Sequence, residues 1–384
     1  MDARRLIGPA FAALLIGAIG GGIWYSNSNV RAERDAAAQR QALAEQEIQV
    51  HGLIGSEKEA LFADPKVQAV LASHHITVHV EKAGSRDIAH RFDPGHFDFG
   101  FPSGAPAAAA LKAVARPSET YSPFYTPIVI ASWRPIAQLL LADHMVTERD
   151  GNYFVTDMPG LLDLMKKHAR WKDLPGNTTF STNKAVLLSS TDVRTSNSAA
   201  MYLSLASYIE NGQSVVENQD EVERVVPFMS ELFMRQGFQE SSSAAPFEDY
   251  LALGMGKTPL LVAYESQMVA FWLAHPGLAH PGSDHPDAPT DDMVILYPIP
   301  TVFSKHVLIP FNEKGMRVGE LLERDSELQS LAHQYGFRTG GEVKGPELWE
   351  QHGIHTPRTV VDVVDPPSNE WLEKMIAAIE QKFH

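Results

Sequence analysis

Asn183 to Glu210 reads NKAVLLSSTDVRTSNSAAMYLSLASYIE. Its opening run, Ala185-Val186-Leu187-Leu188, is short, apolar and bounded by polar residues, which predicts a buried strand. A hydroxyl-rich turn follows, from Ser189 to Ser196. The apolar-periodic run from Ala199 to Ile209 then predicts a helix with Ser196 or Asn197 as its N-cap. A strand, a polar turn and a helix N-terminus together make a place for an anion. Backbone N–H groups and the positive end of the helix dipole point into the turn, and hydroxyls and one Arg complete the shell. An ordinary capped surface loop has the same local chemistry. The functional reading gains weight because the chain repeats the device.

Working outward, the 384 residues are enough for two domains, and 44% hydrophobic with 21% charged content is ordinary for a globular protein. The absence of Cys excludes disulfides, thiolate metal sites and a Cys nucleophile. A net charge of −15 argues against nucleic acid as a partner, which needs a basic surface. It leaves a small-anion site open, because such sites work through local N–H groups. Leu6 to Tyr25 is an uncharged apolar run preceded by Arg4 and Arg5, long enough to span a bilayer. The positive flank predicts a cytoplasmic N-terminus and an exported remainder. A cleaved signal peptide is the competing reading, but its apolar core is usually shorter and the small-x-small site near Val30-Arg31-Ala32 is poor. The expectation is an uncleaved anchor over residues 1–25. The Ala-, Gln- and Glu-rich segment that follows (residues 26–47) reads as a stalk lifting the domain off the membrane.

The globular part begins near residue 48. Ile48 to Ile54 is strand-like, Gly55-Ser56 is a turn, and Glu57 to about Ser73 is expected to be helical. Ile76 to Val80 alternates and is β-branched, predicting a second strand. Ala83 to Arg86 is a turn, Asp87 to Phe92 begins another helix, and Phe97 to Phe101 is a third strand. Alternating strands and helices predict a parallel sheet, with ligand beyond the carboxyl ends of the strands. Ser56 and Ser85 fall there, each expected at a helix N-terminus, where simple capping is the plain alternative. Further on, Thr126 to Ser132, Pro259 to Ser266, Met293 to Pro300 and Val307 to Pro310 read as strands. A final amphipathic helix from Glu370 to Phe383 is expected to pack back on the first unit.

Several motifs fail on inspection. Gly254-Met255-Gly256-Lys257-Thr258 resembles a P-loop, but Leu251 stands where the first Gly belongs and a strand follows instead of a helix. There is no G-x-S-x-G elbow and no H-E-x-x-H. His275, His280 and His285 lie in a Pro-, Gly- and Asp-rich stretch whose spacings fix no two ligands on a helix face, so it reads as a surface loop. No catalytic constellation, resident metal or cofactor is assigned.

Taken in order, the segments resemble the type 2 periplasmic solute-binding proteins of ABC importers, the molybdate-, sulfate- and phosphate-binding group. Gly55-Ser56 resembles that family's first anion loop, Gly84-Ser85-Arg86 its second, and Ser189 to Ser198 the loop of its second lobe. Leu261 to Gln267 resembles the strand that delivers a ligand-facing Tyr. Tyr297-Pro298 and the segment from Leu328 to Arg338 resemble the return to the first lobe. The resemblance implies an α/β fold of two lobes, over residues 48–131, 132–297 and 298–384, with the last stretch returning to the first lobe. It implies a ligand, an oxyanion or a small carboxylate or zwitterion, held by Ser56, Ser85, Arg86, Ser190, Arg194, Ser196, Ser198 and Tyr264. Closure would occur about strands near Ile128–Ser132 and Leu296–Thr301. Glu57 and Glu265 depart from the pattern by placing carboxylates beside the anion loops. Either they point away from the pocket, or they pair with Lys58 and Arg194, or the ligand carries a positive group. The implied function is a membrane-tethered binding protein for an ABC permease. A tethered envelope sensor or assembly protein on the same fold is the alternative, and an exported serine hydrolase is a third reading with no evident His and Asp partners for its serine.

Overall fold

A computed structural model of the chain describes residues 47–237, 239–276, 293–340 and 344–382. The expected membrane anchor, nearly all of the stalk, and His280 and His285 of the His-rich stretch lie outside the described residues. Among the described residues no helix is long and apolar enough to cross a membrane, and no three His, Asp or Glu side chains gather as a metal site would require.

The first lobe starts with β1 (Ile48–Ile54), which lies between two parallel neighbours, β2 (Ile76–Lys82) and β3 (Phe99–Phe101). Burial along β1 alternates through His51 and then becomes continuous from Gly52 to Ile54. The strand therefore runs from a half-solvated edge into the interior, and its carboxyl end arrives at the lobe boundary. Between β1 and β2 the chain forms a 3-10 turn at Ser56–Lys58, α1 (Glu59–Ala63) and α2 (Pro65–Ser73). The single helix expected here is interrupted because Asp64 precedes Pro65, leaves the helical region and caps α2 through Lys66 N–H at 2.7 Å. After β3 comes α3 (Ala105–Ala115).

The longest strand, β4 (Tyr121–Trp133), belongs to both lobes. Tyr121 to Pro127 pairs with β9 (Phe303–Pro310), and Phe124 and Tyr125 also pair with β10 (Arg338–Thr339). From Ile128 onward the same strand pairs with β7 (Leu260–Tyr264) and β8 (Met293–Pro298). The second lobe adds α4 (Arg134–Ala142), β5 (Val146–Arg149), β6 (Asn152–Val155), α5 (Met158–Lys166), α6 (Asn197–Glu210), α7 (Gln219–Met234), α8 (Ala244–Leu253) and α9 (Glu265–Ala274). The return consists of α10 (Glu313–Arg324), α11 (Ser326–Gln334), α12 (Lys344–Gln351) and α13 (Asn369–Glu380). Each lobe has its own core. Val50, Phe62, Leu71, Phe101, Phe124 and Leu308 meet in the first, and Ile130, Leu140, Leu161, Tyr202, Met229 and Leu260 in the second.

Several expectations are corrected. The sheet is mixed, since β9 and β4 run antiparallel to their neighbours on the return path. Ala185 to Leu188 is extended but forms no ladder; isolated bridges join Ala185 to Arg170 and Ser189 to Leu261. Val186 and Leu188 alone are buried along it, so this run lines the core edge-on. Residues after Ser85 form successive turns, because Asp93-Pro94-Gly95 redirects the chain before a helix can propagate. Ser85 thus has no helix of its own. The strand expected to run to Ser266 ends at Tyr264, and Glu265 and Ser266 already belong to the helix that follows. Helix α13 packs chiefly on α7, with Leu372, Met375, Ile376 and Ile379 in the second core, and meets the first unit as expected only through α3 and the Arg86–Glu373 pair.

Glu265 pairs with Arg338, not with Arg194. The Arg338 guanidinium grips both carboxylate oxygens at 2.6 and 2.8 Å, and Tyr297 Oη donates to Oε1 at 2.7 Å. Both charges are sealed from water, at 4% and 0% side-chain exposure. This pair joins β10 of the return to the start of α9, beside the β4 crossing. Removing one partner of such a pair strands the other. Arg338→Met should cost about 3–5 kcal/mol in urea unfolding, and Glu265→Gln with Arg338→Met should recover most of it. A loss within the roughly 1 kcal/mol of an exposed pair would contradict this account.

Candidate functional site

The elements converge on a cleft between the lobes. The first lobe contributes Ser56, Glu57, Ala83, Gly84 and Ser85 from the ends of β1 and β2. The second contributes Ser196 and Asn197 from the start of α6, Ser241, Ser242 and Ser243 from the loop before α8, and Tyr264 from the end of β7. The enclosed space is only about 10 Å³, enough for roughly one water. Two glycines permit this approach. A Cβ at Gly84 would stand 2.7 Å from Thr195 O, and one at Gly104 would stand 2.1 Å from the Asn197 side chain.

Helix α6 holds its N-terminus at the cleft because it is buried on nearly every face, from Asn197 to Ile209. No side-chain cap closes its first turn. Instead the hydroxyls of Thr191, Ser196 and Ser198 form a triangle, with Thr191 Oγ1 at 2.7 and 2.8 Å from the two serines and the serines 3.0 Å apart. Asn197 Nδ2 donates to Tyr264 Oη at 3.0 Å and to Ser304 Oγ at 3.2 Å, tying both lobes together. Burial, with Glu57 nearby, pushes the Tyr264 hydroxyl far above its ordinary pKa, so it is a neutral phenol at any physiological pH.

Of the residues expected from sequence, Ser56, Ser85, Ser196 and Tyr264 line the cleft. Ser85 Oγ accepts from Ser103 N–H at 3.0 Å, which leaves its own proton for a cleft acceptor. Arg86 is engaged elsewhere, with Glu373 at 2.7 Å and the Arg194 carbonyl at 3.0 Å. Arg194 folds back on Asp192, with three side-chain contacts between 2.6 and 3.1 Å. Ser190 bonds Gln236, and Ser198 completes the hydroxyl triangle.

Beneath the cleft lies a buried network that sequence reasoning largely missed. Lys58 is fully buried; its Nζ donates to Ser103 Oγ at 2.9 Å, to His306 Nδ1 at 3.1 Å and to Glu57 Oε1, and sits 4.9 Å over the Phe101 ring. All three ammonium protons are used. Ser103 Oγ in turn donates to Glu57 Oε1. Burial by itself would raise the Glu57 pKa, but the Lys58 charge and the bonds from Lys58 and Ser103 outweigh it and hold the carboxyl below its ordinary range. Burial, reinforced by Lys58, pushes His306 well below its ordinary pKa, so it is neutral and accepts at Nδ1. Its proton then sits on Nε2, among the rings of Phe124 and Phe337. Ser103 with Lys58 and His306 has the composition of an activated nucleophile, but all three are 0% exposed and the Ser103 proton is committed to Glu57. The group positions a carboxylate. Glu57 was visible in the sequence as an intruding charge. Ser304 and His306 carried one faint signal, since they flank the exposed Lys305 and so take the inward-facing positions of the strand.

No family model matches the chain, and no curated protein matches it. Among solved structures, iron-bound HitA from Pseudomonas aeruginosa is similar over 87% of this chain and 99% of its own, at 10% identity and a TM-score of 0.53. The sulfate-binding protein SubI from Mycobacterium tuberculosis H37Rv covers 87% of this chain and 98% of its own, at 13% identity and a TM-score of 0.49. At this identity the likeness establishes the fold, that of the two-lobed α/β solute-binding proteins.

The buried imidazole has a pH signature. In the unfolded chain His306 takes up a proton below about pH 6.5, and in the folded chain it resists until much lower pH. The stability it contributes is therefore present above pH 6.5 and lost as pH falls below it, by up to about 1.4 kcal/mol per unit. Urea unfolding between pH 7 and 5 should show this decline, and His306→Gln should flatten it. An unchanged slope in the variant would contradict a neutral buried His306.

Proposed function

We propose that the chain is an extracytoplasmic solute-binding protein that captures a small polar ligand between its two lobes and presents it to an ABC-type importer. The supporting observation is the convergence of hydroxyls from both lobes on one cleft, Ser56 and Ser85 facing Ser196, the serine loop and Tyr264. Such groups grip a ligand only when the lobes approach, which is how a two-lobed protein couples occupancy to shape. The fold it shares with HitA supports the reading. No chemistry is required, and the sealed Ser103 supports binding without turnover. In this reading β4 and the 298–303 segment form the hinge. There Ile128 N–H donates to Val302 O at 2.9 Å, and Thr301 Oγ1 donates to Ile128 O at 2.6 Å. The apolar run Leu6 to Tyr25 tethers the protein to the membrane, with the lobes outside the cytoplasm.

That run and the stalk also fit a tethered sensor or assembly protein that reports occupancy to another envelope protein, since a freely diffusing importer component needs no anchor. Adjacent permease and ATPase genes would favour transport.

A thermal-shift screen of the full-length chain against phosphate, sulfate, molybdate, small carboxylates and amino acids tests the binding reading. A ligand at 100 times its Kd stabilises by about 2.7 kcal/mol, which moves the midpoint by a few degrees. Ser85→Ala with Tyr264→Phe should abolish the shift. A response that survives this double substitution would place the ligand outside the cleft.

A further inference from the structure

The two carboxylate oxygens of Glu57 have different surroundings. Oε1 receives Lys58 and Ser103 and lies 3.6 Å from His306 Nδ1. Oε2 accepts no hydrogen bond from the described residues, although the side chain is only 6% exposed. Among the described residues that line the cleft, it belongs to the one charged side chain. Across that space stands the uncapped N-terminus of α6, whose first-turn N–H groups and dipole form a positive pole. The cleft is thus bipolar, with a fixed negative charge on the first lobe and N–H groups and hydroxyls on the second. The basic residues nearby are committed elsewhere, Lys58 to Glu57, Arg86 to Glu373 and Arg194 to Asp192.

On the reading that the cleft binds a solute, we propose that the ligand is a small zwitterion, with an ammonium group for Glu57 Oε2 and a carboxylate for the start of α6. A free oxyanion suits only one pole. It would satisfy the α6 N–H groups but would lie beside a carboxylate that stays ionised and has spent its counter-ion internally. A simple amine suits only the other pole. A zwitterion satisfies both, and because the poles lie on different lobes, binding it draws the lobes together. The serines and Tyr264 are neutral and serve either end. The enclosed space holds only about one water, so entry and occupancy by a zwitterion both require the lobes to stand further apart, which breaks Asn197 Nδ2 to Ser304 Oγ and the Arg86 contacts to the Arg194 carbonyl and Glu373.

Calorimetric titration of the full-length chain tests this, with the standard amino acids, γ-aminobutyrate and taurine as zwitterions. Sulfate, phosphate, propionate and ethylamine serve as single-pole probes. At least one zwitterion should bind, at least tenfold tighter than any single-pole probe. Glu57→Gln should weaken it about 10- to 100-fold, the range for loss of one charged hydrogen bond. Because Glu57→Gln strands the Lys58 charge, the same loss should appear in Glu57→Gln with Lys58→Met, which removes both charges. Sulfate or phosphate as the tightest ligand, lost in Ser85→Ala with Tyr264→Phe, would overturn the zwitterion and leave the solute-binding reading standing. Zwitterion affinity unchanged in both Glu57 variants would likewise overturn it. No binding by any probe would overturn both.

Discussion

Strand β4 takes its hydrogen-bond partners from two sheets, and the placement of every cleft residue depends on that. Its first half is held by β9 and β10 and its second by β7 and β8, with the change at Pro127 and Ile128. Proline lacks an N–H, so the ladder is weakest where one sheet gives way to the other. The two cores are therefore separate bodies joined by continuous backbone. β1 and β2 deliver their carboxyl ends to the same gap from one side, and β7 and α6 deliver Tyr264, Ser196 and Asn197 from the other. Glycine at 84 and 104 then sets how far the gap can shut.

The buried Glu57 group shows how such a gap comes to hold a charge. Desolvating a carboxylate and an ammonium costs several kcal/mol per ion unless every donor and acceptor finds a partner. Lys58 meets that condition with three acceptors, and Ser103 and His306 are placed by β3 and β9 to supply two of them. Glu57 meets it with one oxygen only. A structural ion pair with no other role would be expected to satisfy both. The remaining oxygen belongs to a side chain that lines the cleft. Glu265 and Arg338 make the contrast, since both of those carboxylate oxygens are bonded and the pair serves only to hold the hinge.

Much of the fold was legible in the sequence because it rests on local periodicity. β1, α6 and β7 follow from alternating, helical or continuous apolar patterns, and the order of polar turns was enough to suggest two lobes. What local patterns could not carry was pairing over distance. Glu265 sits beside Tyr264 in the chain, yet its partner Arg338 is 73 residues away. Lys58 and His306 are 248 residues apart and meet only because β1 and β9 flank β3. Arg86 and Arg194 looked like ligand cations because an Arg in a polar turn commonly is one; Asp192 and Glu373 decide otherwise through geometry. Ala185 to Leu188 failed for a related reason, since an apolar run reports burial but not whether a neighbour offers a ladder.

Closure of the lobes on a small ligand can be followed directly, because the chain has no cysteine to compete with introduced labels. Spin labels at His90→Cys, in the turns after Ser85, and at Glu240→Cys, beside the serine loop, would report the distance across the cleft by pulsed electron resonance. Both positions are exposed. A broad, long distribution should collapse to one short, narrow population when an amino-acid probe is added, and should stay broad with Tyr264→Phe and Ser85→Ala. A distribution that does not change with any probe would contradict closure.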